Sequence, residues 1–115
     1  MTKVKARHLR KELEKVLLTS DRKTSLEFAR PYSLEQLTGP VFSQFYHPVE
    51  LVKFRSIALL GSVAGRTEQV STERVRILMR KLMWYLNEES GGMGWGAPEA
   101  MGEIMVNCER MGLEY

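Results

Sequence analysis

The residues of this chain best suited to bind something lie between positions 88 and 99. Glu88-Glu89-Ser90-Gly91-Gly92-Met93-Gly94-Trp95-Gly96 places four glycines in nine residues and runs into Ala97-Pro98-Glu99. Glycine lets backbone amides come close to a ligand, and a loop that feeds a helix N-terminus can hold an anion through those amides and the helix dipole. The run is not a Walker loop, because no Lys-Ser/Thr pair closes it, and no strand precedes it to make a dinucleotide fingerprint. Glu88, Glu89 and Glu99 bracket the glycines, so a cation or a basic side chain suits the loop better than phosphate does. A packing reading stands beside this one. The glycines let the loop fold back while Trp95 fills a pocket equivalent to that of Phe54, 41 positions earlier.

The second set is basic. Arg55, Arg66, Arg74, Arg76 and Arg80, with Lys53 and Lys81, fall in the middle of the chain. Arg76 and Arg80 are four apart and share a helix face. Such a surface could form a groove for acidic protein or nucleic acid, or be an ordinary solvated face. Sequence-independent binding of nucleic acid needs many cations on one surface. The formal net charge is only +3 and the last part of the chain is acidic, which argues against nucleic acid.

The remaining reactive side chains form no recognisable centre. His8 lies in a charged run and His47 precedes a proline, and neither has a Ser, Cys or carboxylate partner at a spacing that suggests a triad. A single cysteine, Cys108, leaves no internal disulfide. With two histidines it also gives no zinc-ligand spacing. The expectation is a protein that is not an enzyme, with no metal and no cofactor.

Size and charge narrow the class. The chain has 115 residues, 43% of them hydrophobic and 27% charged, the composition of one folded domain. No apolar stretch approaches the roughly 20 residues of a membrane span, and the basic, interrupted N-terminus does not resemble a secretory leader. A cytoplasmic protein without a membrane partner is expected. The charge is divided unevenly: residues 1–23 carry eight Lys/Arg against three acids, and residues 88–115 carry one against six. Those opposite ends are either simply solvated or attract a partner or a second copy.

The elements that would position these residues are all helical. Leu9, Leu13, Val16 and Leu17 make one apolar stripe over about 3–18. Thr24 with Glu27, and Ser33 with Gln36, form two capping-box patterns separated by Pro31. Gly39-Pro40 should kink or end the second of these helices before Val41, after which it resumes through Phe42, Phe45 and Tyr46. A helix restarting at Pro48 carries Leu51, Val52, Phe54, Ile57, Ala58, Leu60 and Val63, with Gly65 a plausible terminator. Ser71 opens the most regular element, whose stripe is Val75, Leu78, Met79, Leu82, Met83 and Leu86. A last helix is expected from Ala97 to Val106, with a further turn beyond it.

These segments echo one another at an offset of 41. Leu34, Leu37, Val41 and Phe45 fall on Val75, Leu78, Leu82 and Leu86; Phe54 falls on Trp95 and Gly61 on Gly102. A period in the low forties with two helices per unit is the mark of HEAT or armadillo repeats. The fold expected is therefore all-α, a short solenoid of about two and a half helical hairpins in one domain. Its units run at about 34–65 and 75–106, with an N-terminal half unit at 3–30. Six of the seven methionines follow position 78, either filling gaps in the core or forming an adaptable surface.

Val52-x-x-Arg55-x-x-Ala58-x-Leu60-Gly61 resembles the inner helix of the phycobilisome-lyase type of HEAT-like repeat. The resemblance covers roughly residues 34–106. It departs from that pattern at Lys53, where the family usually has arginine, and from Ser90 to Pro98. It implies a repeat scaffold that binds another protein. The family name also implies, as an alternative, an accessory role in attaching a chromophore or cofactor; a nucleic-acid-binding repeat is a further one. Self-association through the C-terminal end, or else derivation from a longer repeat chain, is expected as well, because solenoid ends without a polar cap expose apolar surface.

Overall fold

Leu9, Leu13 and Leu17 recur at every fourth position and all three are buried. Their stripe holds Lys3–Thr19 as a helix, α1, laid against the rest of the chain. The computed structural model describes residues 3–19, 21–87 and 96–115, and side chains from residue 7 onward within them. Among the described residues there is no strand, so the fold is all-α as expected. The other helices are α2 (Arg22–Ala29), α3 (Leu34–Ser43), α4 (Glu50–Glu68), α5 (Thr72–Asn87), α6 (Ala97–Asn107) and α7 (Glu109–Glu114).

Local signals set most of the boundaries, and four differ from the expectation. The Ser33 and Gln36 capping box forms in full: the Ser33 hydroxyl accepts from the Gln36 amide at 3.1 Å, and the Gln36 side chain accepts from the Ser33 amide at 2.9 Å. The Thr24 and Glu27 box does not. Asp21 caps α2 instead, accepting from the Thr24 amide at 2.9 Å, so Thr24 lies inside the first turn.

Pro40 also fails to break α3, which runs unbroken to Ser43. An interior proline costs about 3 kcal/mol, and Leu37, Val41 and Phe45 are all buried along this stretch. Burying even two such side chains offsets that cost, at about 1.5–3 kcal/mol each. The chain tightens only afterwards, into a 3-10 turn at Gln44–Tyr46.

Two further boundaries belong to α4. The helix begins at Glu50, not Pro48, after a turn in which the His47 Nδ1 accepts from the Val49 amide at 3.0 Å. It also passes through Gly65 to Glu68. Gly65 is a packing position: a Cβ there would stand 2.9 Å from the Asn107 carbonyl oxygen of α6.

Helix α4 is the hub, packed against α1, α2, α3, α5 and most extensively α6. The described residues fill a body of 34 × 33 × 28 Å. In the 41-residue correspondence, Leu34 and Val75, Leu37 and Leu78, and Val41 and Leu82 are buried alike. The fourth pair divides, since Phe45 is buried and Leu86 is exposed. Phe54 is 49% exposed and fills no core pocket. Gly96, at φ +89, stands where a Cβ would lie 3.0 Å from the Phe45 ring, and only glycine meets both conditions.

Candidate docking groove between α2 and α4

Helix α4 is apolar on more than one side. Val52, Ile57, Leu60, Val63 and Ala64 enter the core, while Leu51 and Phe54 remain 53% and 49% exposed. Positions 51, 54 and 58 follow one another at helical spacing, so they share a face that the core leaves open. Beside that face lies a cavity of about 180 Å³, lined by Leu26, Phe54, Ala58 and Leu59 with Ser25, Arg22 and Arg55. The floor is apolar and the rim is cationic.

Each rim group is placed by its helix. Arg55 donates through Nη1 to the Leu17 carbonyl at 2.7 Å, tying α4 to the end of α1. Asp21 lies near enough to feel the Arg55 charge, but its carboxylate is occupied in capping α2. The bond from the Thr24 amide is the main reason its pKa is lowered. Arg22, in the first turn of α2, makes no side-chain hydrogen bond or ion pair with a described residue. Lys53 stands 5.7 Å from the centre of the Phe54 ring and 3.7 Å from a Glu99 oxygen.

Of the residues singled out from sequence, Arg55 is the one that reaches this groove. Arg76 and Arg80 do share a face, but on α5 they are bound up in acids. Arg76 donates to Glu114 at 2.7 and 2.9 Å and to Glu73 at 2.6 Å, and Arg80 reaches Glu73 at 3.3 Å. The hydrogen bond to Arg76 is the largest cause of the lowered pKa of both Glu73 and Glu114. Arg74 is likewise paired with Glu35, whose pKa the hydrogen bond lowers. The three arginines are cross-links more than a vacant basic surface. Glu99 lies at the start of α6 and pairs with Lys53. Glu88, Glu89, Ser90 and Trp95 lie outside the described residues.

Sequence reasoning missed Arg22, Leu26 and the exposure of Phe54. The available signal was the surplus of apolar residues on α4, since a helix apolar on two faces must offer one of them to something other than its own core.

No protein-family model matches the chain, and no solved structure matches it significantly. One similar protein is an uncharacterized protein of Archaeoglobus fulgidus, 36% identical over 76 residues. The match takes in 65% of this chain and 38% of that protein, so the chain spans well under half the length of its relative.

Proposed function

We propose that this protein is a non-enzymatic protein-interaction scaffold built on HEAT-like repeats, and that the open face of α4 is where a partner docks. The observation that carries the reading is the pair of exposed apolar side chains, Leu51 and Phe54, beside an apolar cavity with a cationic rim. Exposed apolar surface rimmed by polar groups is a common mark of an interaction site. The cavity is also below the roughly 300–1,000 Å³ of small-molecule sites, which suits a partner's side chain better than a chromophore.

The repeat reading draws support from the spacing of the polar links between helices. Arg55 to Leu17, Arg66 to Arg30 and Tyr32, Arg74 to Glu35, Arg76 to Glu114 and Arg110 to Glu68 join residues 34 to 42 apart. In a solenoid each unit touches mainly its neighbours, and this range brackets one period. Association of copies through the C-terminal end belongs to the same proposal.

The test is affinity capture from native lysate with quantitative comparison of variants. Proteins retained by the wild type should be lost with Leu51→Ser/Phe54→Ser and kept with Val70→Ser, an exposed position elsewhere. Equal retention by all three would remove the α4 face from the proposal.

A further inference from the structure

We infer that the α2–α4 groove takes a segment of a partner protein that carries one large apolar side chain flanked by Asp or Glu. The inference rests on the docking reading of α4 and names the chemistry of the occupant. A cavity of about 180 Å³ has room for a single leucine, methionine or phenylalanine side chain, and its walls Leu26, Phe54, Ala58 and Leu59 offer that anchor an apolar surround. Specificity must then come from the rim, because an apolar hole alone distinguishes poorly among apolar residues.

The rim is cationic by construction. Arg22 and Arg55 both line the cavity, and Arg22, bonded to no described side chain, can offer its guanidinium for a planar, two-pronged bond to a carboxylate. Arg55 is held in place by the Leu17 carbonyl at 2.7 Å, which fixes one edge of its guanidinium. Asp21, which caps α2 through the Thr24 amide, keeps its negative charge, and the two rim arginines together outweigh it. A basic segment would meet like charge at the mouth of the cavity, and an uncharged one would leave Arg22 without a partner.

Selection of random peptides displayed on phage, against the immobilised full chain, tests this directly. The enriched peptides should share one Leu, Met or Phe with Asp or Glu within a few positions. By fluorescence anisotropy, replacing the anchor with Ala should weaken a selected peptide about tenfold or more, and replacing its acids with amides about fivefold. Selection on Arg22→Glu should shift the enriched sequences toward Lys and Arg around the same anchor. Because Arg22 is exposed, thermal melting should show that variant as stable as the wild type.

Enriched peptides with an anchor but no acidic bias would overturn the inference and leave the docking face standing. Acidic peptides without an anchor would also overturn it. Enrichment that Leu51→Ser/Phe54→Ser leaves unchanged, or none at all, would overturn both readings.

Discussion

At the scale of single residues, Cys108 shows how burial sets chemistry. It joins α6 to α7 with no exposed surface, beside Ile104 and Met111, which are buried with it. Burial, with a smaller contribution from the charge of Glu68, pushes its thiol up to about 12 from an ordinary 9.0. The nucleophile is the thiolate, so at pH 8 iodoacetamide should label Cys108 slowly in the folded protein and quickly in guanidinium. Equal rates would mean that the α6–α7 corner opens readily. The same shift fixes a pH dependence. A thiol whose pKa is higher in the folded than in the unfolded state releases its proton first on unfolding, so above pH 9 the unfolded chain binds fewer protons and stability falls until about pH 12. Cys108→Ala should flatten that alkaline decline in a series of thermal melts, though the lost side chain lowers stability at neutral pH.

At the scale of elements, the crossing of α4 and α6 turns on glycines that the 41-residue echo treats as equivalent. Gly61 and Gly65 face α6, where a Cβ would come within 3.0 Å of the Asn107 side chain and 2.9 Å of the Asn107 carbonyl respectively. Gly102 corresponds to Gly61, yet a Cβ there would meet nothing within 4 Å. Replacing glycine with alanine inside a helix ordinarily gains about 0.5–1 kcal/mol. Gly102→Ala should therefore raise the melting temperature, while Gly65→Ala should lower it because backbone cannot yield as a flexible side chain can. If both substitutions stabilise, the α4 and α6 backbones do not meet closely at Gly65 in solution.

This contrast also marks what the sequence could say. Helical periodicity identifies Leu34, Leu37, Val41, Val75, Leu78, Met79 and Leu82 as buried, because helical spacing reports directly on which face is apolar, but it also puts Met83 and Leu86 in the stripe, and both are exposed. It could not say which helix lies opposite, so Phe54 was expected in the core, Gly65 at a helix end, and the Arg22 side of the groove went unseen. Two good capping residues, Asp21 and Thr24, lie three apart, and spacing alone does not rank them; in the structure Asp21 accepts from the Thr24 amide and is the cap.

At the scale of the whole molecule, two properties bear on the proposed self-association. The charge is uneven, basic over residues 1–23 and acidic over 88–115. In α6 and α7, Val106 and Leu113 are 84% and 85% exposed, giving the acidic end apolar surface of its own. On α6 and α7, Glu99 and Glu114 are paired with Lys53 and Arg76, so in a symmetric contact the repulsion falls to Glu103 and Glu109 and their counterparts. A head-to-tail contact sets the acidic end against the basic residues of α1 and α2 and gains from both terms. Such a contact does not close on itself and adds copies in series. Sedimentation velocity over a rising concentration series should therefore show a mass that grows beyond a dimer at low salt. Raising the salt should shift it back, since a Debye length of about 8 Å at physiological ionic strength shortens further and screens the exposed charges. Val106→Ser/Leu113→Ser should lower the association at every salt concentration. A mass that stops at the dimer and is strengthened by salt would identify the symmetric contact instead, and a monomer throughout would remove self-association altogether.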